Sequence, residues 1–445
     1  MSRRRIVVAS SDPVTAAMAG PAIRAWHMAS VLAEEHEVRL ITTAACDRDH
    51  PAFAVRRVEG PDDMRSLAEW ADLLVFQGGL LRDFPFLQEP DPDLLVVADI
   101  YDPFHLENLE QGRGESASMA SRDATVGHLA AVLNEQLLRG DFFLCASARQ
   151  RDFWLGSLAA VGRVNPWTYD EDPTLGSLIG IAPFGLEAAP PVRREPALRG
   201  VVPGIGADDK VILWAGGVYN WFDPLSLVRA VDRLRVRVPD VRLFFLGLRH
   251  PNPDIPAMQM ASSLRSLSDE LGLTGSHVFF NDGWVEYDRR ADFLLDADLG
   301  VSTHLGHVET AFSFRTRILD YLWAGLPIVA TEGDAFADLI DRERLGATVP
   351  AGDIAALEAA LFSMLSDPAL AAECRENVLR VAPRFRWAEV LAPLVEFCRS
   401  PRRAPDLVGR GEAAAPAAPA AAAPAPVPRS LVARAGGKAR RLLGR

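Results

Sequence analysis

The sequence has few cysteines, and they are far apart. The four are Cys46, Cys145, Cys374 and Cys398, and they form no Cys-x-x-Cys pair. A disulfide framework or a structural zinc site is therefore not expected, and a reducing cytoplasm is the predicted location.

Long hydrophobic stretches are also missing. No run of about 18 apolar residues occurs, so no transmembrane helix is predicted. The apolar residues that follow Arg5 end at Asp12, which is too early for a signal peptide. This first segment is instead predicted to be a buried strand.

Positive charge is in deficit, because 47 basic residues face 59 acidic ones and the formal net charge is -12. A general nucleic-acid binder needs positive charge to displace counterions from phosphates, so that class is not expected. A chain of 445 residues is too long for one ordinary core and predicts two or three domains.

The N-terminal part shows the pattern of a βαβ unit. A strand at 5–10 is followed by Gly20-Pro21, a helix over about 22–34 and a strand at 37–42. Gly20 lets the backbone approach a ligand closely at the positive end of that helix. The alternative is that Gly20-Pro21 is only a tight turn.

Further apolar runs at 73–76, 94–98 and 142–146 predict buried parallel strands, with a helix over 126–138 between the last two. Asp102 and His105 lie in the loop after 94–98. Ligands of open α/β sheets bind at such carboxyl ends, so both are candidates for acid/base catalysis or hydroxyl binding. Each could equally be a helix cap or a turn residue.

A second α/β unit is predicted after an irregular, Pro- and Gly-rich region at 156–180 and a hinge at 183–186. A strand at 210–215 ends in Gly216-Gly217, which indicates a turn that faces phosphate. A helix over 223–236 and strands at 242–246 and 278–280 follow. Two similar lobes facing a cleft are the economical architecture.

The stretch 307–330 is predicted to carry the chemistry. Glu309, Arg315, Arg317 and Asp320 lie within twelve residues and precede an apolar helical run. Guanidinium groups and a helix start suit phosphates, and carboxylates suit hydroxyls.

The C-terminal part changes in character. A helix is predicted over 384–400, then a flexible Ala- and Pro-rich linker over 401–428 and a basic tail over 429–445. Two interpretations of the tail stay open: an amphipathic helix on anionic lipid, or a solvated disordered segment.

Together, the Gly20-Pro21 helix start, the 183–186 hinge, the Gly216-Gly217 turn and the 307–330 stretch resemble family 4 glycosyltransferases of GT-B architecture. The resemblance covers about residues 5–400. It implies two Rossmann-like, doubly wound α/β lobes: an acceptor domain at 1–184 and a nucleotide-sugar donor domain at 185–383. The helix at 384–400 is expected to cross back and complete the first lobe.

The resemblance also assigns roles to residues. Asp320 stands five positions before Gly325, as does the family carboxylate that binds ribose. Ten residues separate Glu309 from Asp320, more than in the family, and Glu309 is expected to face the donor sugar. The family's Arg and Lys after the Gly-rich turn are absent.

Other cations are therefore expected at the diphosphate. Arg315 and Arg317 are the first candidates, and Arg24 is a third. The alternative is that Arg315 and Arg317 are structural and pair with Glu309 and Asp320.

The family histidine on the acceptor side is missing, because Tyr101-Asp102 occupy its place, and His105 is a candidate replacement. His304 and His307 are predicted to line the sugar pocket. Trp284 stands where similar enzymes contact the base, with a core role as the alternative.

The predicted function is a retaining, metal-independent transferase that needs no cofactor and moves a sugar from a nucleotide-diphosphate sugar to a hydroxyl of a glycan or lipid-linked acceptor. The expected setting is cell-surface glycan or glycolipid synthesis, in the cytoplasm or at the inner face of the membrane. Two alternatives stay open: a nucleotide-sugar epimerase on the same fold, and a non-catalytic binding or scaffold protein.

Overall fold

The computed structural model describes residues 3–114, 117–252 and 258–414. Met1–Asp406 form one compact unit, and Leu407–Arg445 are assigned to a second.

The strands, in chain order, are β1 (Arg5–Ser10), β2 (Glu37–Thr42), β3 (Ala54–Arg57), β4 (Leu73–Phe76), β5 (Leu95–Asp99), β6 (Phe142–Cys145), β7 (Ile179–Ile181), β8 (Lys210–Trp214), β9 (Val241–Phe245), β10 (Val278–Phe280), β11 (Leu299–Ser302), β12 (Ile328–Thr331) and β13 (Gly346–Val349).

The α-helices are α1 (Gly20–Leu32), α2 (Pro61–Trp70), α3 (Leu80–Asp83), α4 (Phe104–Gln111), α5 (Met119–Arg139), α6 (Ala148–Ala160), α7 (Pro166–Glu171), α8 (Pro224–Leu234), α9 (Gln259–Glu270), α10 (Arg290–Leu294), α11 (Val308–Phe312), α12 (Arg317–Ala324), α13 (Ala337–Glu343), α14 (Ile354–Ser366), α15 (Pro368–Val381), α16 (Trp387–Val390), α17 (Ala392–Arg399) and α18 (Pro405–Ala414). Short 3-10 turns occupy Pro85–Gln88, Gly112–Gly114, Tyr287–Arg289 and Ala382–Phe385.

The N-terminal lobe is built on a parallel seven-stranded sheet in the order β3-β2-β1-β4-β5-β6-β7. All residues of β4 and β6 are buried, because helices cover both faces of such a sheet and an apolar run fits it better than an alternating pattern. The predicted strands at 5–10 and 37–42 are confirmed at both ends.

The C-terminal lobe holds a parallel six-stranded sheet in the order β10-β9-β8-β11-β12-β13. The order reverses on either side of β8, as it does on either side of β1 in the first sheet. Both lobes are therefore doubly wound, and the predicted α/β architecture of two Rossmann-like lobes is confirmed. At such reversals, ligands bind outside the carboxyl ends of the strands.

The segment after α15 crosses back to the N-terminal lobe. The ring of Phe397 stacks on that of Phe142 in β6 at 4.6 Å between centroids, and Arg399 forms an ion pair with Glu35. The predicted crossover is confirmed, but α16 and α17 replace one continuous helix, because Pro393 lies at the start of α17 and cannot donate a backbone hydrogen bond.

Two predictions about irregular regions are wrong. The region 156–180 contains the end of α6, which starts at the N-cap Ser147, and α7, which starts at Asn165 with a capping box. The predicted linker is helical at Pro405–Ala414, and Asp406 is fully buried against Arg163. The rest of the predicted linker, 415–428, and the basic tail at 429–445 lie outside the described residues.

Within the described part of the chain, no single helix is long and apolar enough to cross a membrane. One helix pair, Ile354–Ser366 and Pro368–Phe385, meets the length and composition test only when taken together, and it is bent by 92°.

Candidate active site

A cavity of about 410 Å³ lies between the two lobes and is lined by both. The N-terminal lobe contributes loops after β1 and β5 and the start of α1. The C-terminal lobe contributes the loops after β8, β10 and β11 and the start of α12. The strand ends that the fold brings together thus surround one space, as the two-lobed prediction required.

Glu309 and Arg315 form a buried, bidentate ion pair at one wall of this cavity. The Arg315 Nη1 and Nη2 atoms donate to the two Glu309 carboxylate oxygens at 2.8 and 2.7 Å, and both side chains are less than 5% exposed. The predicted structural alternative therefore holds for Arg315. Its Nε atom is buried and has no hydrogen-bond partner, so one donor is left.

In the described part of the chain, Arg317 has no such carboxylate partner. Its Nη2 atom donates to the Gly217 carbonyl at 2.9 Å, and its guanidinium carbon lies 4.2 Å from the Trp214 ring and 4.1 Å from the Phe222 ring. Burial lowers its pKa to about 10, so it stays protonated at neutral pH. The buried Nη1 atom has no partner, which makes Arg317 a cation that can still bind an anion.

The turn after β8 brings backbone to the same place. Gly216 has a φ of 85°, which is favourable for glycine alone, and a Cβ on Gly217 would lie 2.7 Å from the Tyr219 ring. Both glycines line the cavity, as predicted for a turn that faces phosphate.

Gly20 lines the cavity from the N-terminal lobe. It begins α1, whose N-cap Ala19 provides no side-chain cap. The first amides of a helix lack intrahelical partners, so this helix start is suited to an anion.

Asp320 lies on the first turn of α12 and is about one-third exposed to the cavity. Arg290 Nε donates to Asp320 Oδ1 at 3.3 Å, and Arg290 Nη2 donates to Glu187 at 2.8 Å. Asp320 is therefore paired with Arg290 and not with Arg317. Arg290 binds the Oδ1 atom of Asp320. The rest of the carboxylate faces the cavity, where it can accept hydrogen bonds from hydroxyls.

Three carboxylates meet on the N-terminal side. Asp102 and Glu107 line the cavity with Glu309, and within the described ranges neither of the first two has a hydrogen bond or an ion pair. Burial, with Glu309 next, raises the pKa of Asp102 to about 7 despite Arg315. Burial, Asp102 and Glu309 raise that of Glu107 as well.

Trp284 also lines the cavity, where its ring lies 5.6 Å from that of His250. Its Nε1 atom donates to the Met18 carbonyl of the N-terminal lobe at 3.1 Å. An indole anchored at one edge leaves its face for stacking, so a base contact stays a prediction for Trp284.

Two predicted site residues lie outside the cavity. His307 caps α11: its Nδ1 atom accepts from Thr310 N at 3.3 Å, and its Nε2 atom lies 3.2 Å from the Trp221 carbonyl. His105 lies beside Phe153 and Trp154, at 5.8 and 6.5 Å between ring centroids. Neither lines the cavity, so the structure does not bring them to the candidate site, and the donor role of His307 and the catalytic role of His105 stay predictions.

Arg24 and His304 are structural. Arg24 is fully buried and pairs with Asp99 through Nε at 2.6 Å and Nη2 at 2.8 Å. It also donates to the Ala182 and Pro183 carbonyls of the hinge. His304 is buried beside Asp334 at 3.5 Å. Because Arg24 is already surrounded by acceptors, its charge is not available to a diphosphate.

The sequence analysis missed three residues of this site: Glu107, Tyr287 and Arg290. Glu107 lies in the first turn of α4, just after the predicted loop at Asp102, so a helix start at Phe104 would have pointed to it. Tyr287 and Arg290 belong to no motif, because they reach Asp320 only through the fold. Among residues 3–114, 117–252 and 258–414, no group of three or more His, Cys, Asp or Glu side chains could hold a metal ion.

Comparison with known proteins agrees with this geometry. Residues 209–367 match the model of the family described as glycosyl transferases group 1. Over 169 residues the chain is 26% identical to a phosphatidyl-myo-inositol mannosyltransferase of Mycolicibacterium smegmatis, a match that covers 38% of this chain and 39% of the relative. The match thus spans about two fifths of that relative's length.

Solved structures are similar over most of the chain. Sucrose-phosphate synthase from Thermosynechococcus elongatus aligns with 92% of this chain and 100% of its own, at a TM-score of 0.64 and 17% identity. Anabaena HepE, solved in complex with UDP-glucose, aligns with 89% of this chain and 100% of its own, at a TM-score of 0.65 and 13% identity. At this identity the likeness shows the fold. None of these similarities favours an epimerase. Residues 209–367 thus resemble the glycosyl transferases of group 1, and the chain has the two-lobed GT-B fold that the resemblance predicted.

Proposed function

We propose that the chain transfers a sugar from a nucleotide-diphosphate sugar to an acceptor hydroxyl, with retention of anomeric configuration and without a metal ion. The observation that carries the proposal is Arg317, a buried arginine that lines the cavity and whose Nη1 atom has no hydrogen-bond partner among the described residues. A cation in this state is costly without an anion, and a diphosphate supplies one.

The remaining donor contacts follow from the positions of the other groups. Gly216, Gly217, Arg315 and the start of α12 line the same cavity as Arg317. Asp320 is placed for the ribose hydroxyls, and the ring of Trp284 for the base. Gly20 adds the start of α1 from the opposite lobe.

The acceptor is placed on the N-terminal side. Asp102 and Glu107, which have no protein partner in the described chain, accept hydrogen bonds from sugar hydroxyls, and Glu309 faces the donor sugar. In the transfer step the bond from the anomeric carbon to the phosphate oxygen breaks. The acceptor oxygen forms its bond on the same face, and its proton goes to the departing phosphate. Arg317 and the neighbouring amides stabilise the charge that develops there.

The acceptor class rests on the relatives. The mycobacterial relative is named as a mannosyltransferase acting on phosphatidyl-myo-inositol, and HepE was solved with UDP-glucose. We therefore propose a nucleotide sugar as donor and a cell-surface glycan or a lipid-linked sugar as acceptor. Cytoplasmic location and membrane contact through 429–445 stay predictions.

The donor is tested by thermal melting with UDP, GDP, CDP and dTDP and with their sugar conjugates, because a ligand of the native state raises its melting temperature. We expect one base series to stabilise the protein. Arg317→Ala should reduce that stabilisation and slow sugar transfer at least about tenfold, the scale of one charge-assisted contact. A folded Arg317→Ala variant with unchanged turnover would contradict the assignment.

Metal independence is tested separately. Transfer measured in EDTA should match transfer in added Mg²⁺ or Mn²⁺. The matched control for Arg317→Ala is Arg237→Ala, since Arg237 is half-exposed, pairs with Glu358 and does not line the cavity. If EDTA abolishes transfer and Mg²⁺ restores it, the metal-free mechanism is wrong.

A further inference from the structure

A continuous set of contacts joins Asp320 to the opposite lobe through two residues without an assigned role. Arg290 donates from all three of its nitrogens: Nε to Asp320, Nη1 to the Tyr287 carbonyl at 2.8 Å, and Nη2 to Glu187 and to the Tyr287 hydroxyl at 3.1 Å. Its guanidinium also lies 3.7 Å from the Tyr287 ring and 4.4 Å from the Trp323 ring. Arg290 cannot swing away without breaking several of these contacts.

Tyr287 carries the connection across the cleft. Its hydroxyl lies 2.8 Å from His27 Nε2 in α1 of the N-terminal lobe, and its amide donates to the Ala16 carbonyl at 2.9 Å. Burial, followed by the charges of Arg290 and Arg48, lowers the pKa of His27 to about 3. His27 is therefore neutral, and its Nε2 atom can accept the proton of a hydroxyl that itself accepts from Arg290.

The N-terminal end of this connection is fixed. The His27 ring stacks on that of Trp387 in the crossover segment, at 4.8 Å and 12°. Trp387 N donates to the Leu186 carbonyl of the hinge at 3.1 Å. Glu187, the residue that follows the hinge, is the one that binds Arg290. Asp320, the hinge and α1 are thus held in one network when the lobes are together.

We propose that Tyr287 and Arg290 are positioning residues that hold Asp320 ready for the donor ribose only while the two lobes are in contact. The inference rests on the proposed function, in which Asp320 binds that ribose. It makes the affinity for the nucleotide depend on His27, a residue of the other lobe that lies outside the cavity. Such a dependence is a coupling between lobe contact and ribose binding.

The test is calorimetric binding of UDP and GDP, each titrated separately, to the full chain and to Tyr287→Phe and His27→Phe. Both variants keep a ring of similar size and remove one partner of the Tyr287–His27 hydrogen bond. We expect each to bind the nucleotide about fivefold to tenfold more weakly, as a coupling of this kind predicts. Tyr169→Phe, on an exposed tyrosine of α7, is the matched control and should bind like the wild type.

The same substitutions in an Asp320→Asn background distinguish positioning from a general structural role. If Tyr287 acts through Asp320, Tyr287→Phe should weaken binding by less than about twofold once Asp320 is gone. An equal loss in both backgrounds, or no loss in the wild-type background, would overturn the inference. Absence of nucleotide binding by the wild type would instead refute the proposed function, and the inference with it. Either variant alone is sufficient if the other does not fold.

Discussion

At the scale of single residues, two arginines two positions apart at the start of α12 have different roles. Arg315 is neutralised by Glu309, whereas Arg317 meets only a carbonyl and two aromatic rings. The sequence offers both as phosphate ligands. Their partners make Arg317 the main cation of the cavity and leave Arg315 one donor atom.

The Glu309–Arg315 pair should matter for stability. Arg315→Met leaves Glu309 buried and unpaired, which we expect to reduce the free energy of unfolding by about 3–5 kcal/mol. The double variant Glu309→Gln/Arg315→Met removes both charges and should recover most of that loss. Urea denaturation measures each value. A double variant less stable than Arg315→Met would contradict the pairing as the cause.

Asp102 should make stability depend on pH. Its pKa rises to about 7 in the folded protein, chiefly through burial, from an ordinary value of 3.8. Between these values the folded state binds the proton more tightly than the unfolded chain, so Asp102 lowers stability as pH increases from about 4 to 7.

The variant Asp102→Asn removes the carboxyl group that titrates. Its stability relative to wild type should therefore increase by about 1 kcal/mol or more between pH 4 and pH 8. Denaturation curves at both pH values measure the difference. A relative stability that is the same at pH 4 and pH 8 would show that the carboxyl titrates normally.

At the scale of elements, α12 is fixed to the sheet by Tyr321. The Tyr321 hydroxyl accepts from Ala215 N at 3.0 Å and lies within 3.0 Å of the Leu213 and Val301 carbonyls. Its ring lies over Gly300 in β11, where a Cβ would approach it to 2.4 Å. The helix that carries Asp320 is thereby placed beside the Gly216 turn.

Gly300→Ala should displace Tyr321 and α12. Overpacking of this kind costs about 1–3 kcal/mol, and we expect weaker nucleotide binding with it. Gly127→Ala is the control, because Gly127 lies in α5 with nothing within 4 Å of its added Cβ, and there alanine favours the helix. Thermal melting and UDP or GDP titration measure both effects. Equal behaviour of the two variants would contradict the packing argument.

At the scale of the whole molecule, residues just beyond the crossover complete the N-terminal lobe. Arg163 and Asp406 form a fully buried ion pair at 2.6 Å, and Arg403 pairs with Asp141 at 3.1 Å. The compact unit thus extends to Asp406, beyond the point at which the composition becomes rich in Ala and Pro.

Two shortened chains distinguish the residues that stabilise the fold from those that are predicted to bind membrane. A chain ending at Ala414 should melt like the full chain and lose binding to anionic vesicles. A chain ending at Ser400 leaves Arg163 buried and unpaired, so it should lose about 3–5 kcal/mol. Differential scanning calorimetry and vesicle flotation are the measurements. Vesicle binding retained by the chain that ends at Ala414 would reject the tail as the membrane contact.

Much of the fold could be predicted because its signals are local. Short apolar runs bounded by turn residues indicate buried parallel strands, and β1, β2 and β10 begin and end where they predict. The region 156–180 could not be interpreted in this way, since its Pro and Gly content hid the end of α6 and the N-cap of α7 at Asn165. The linker prediction failed for a related reason, because composition does not reveal that Asp406 is bound by Arg163.

The sequence alone predicted two α/β lobes, the glycine turns and the carboxylate-to-arginine stretch, because periodicity, turn chemistry and residue spacing are local properties. Only the tertiary structure decided which of these groups are free. In the fold, Arg315 pairs with Glu309 and Arg24 pairs with Asp99. His105 and His307 lie outside the cavity, whereas Arg290 lines it. Those outcomes depend on contacts between residues far apart in the chain, and a charge is available to a ligand only when no such contact neutralises it.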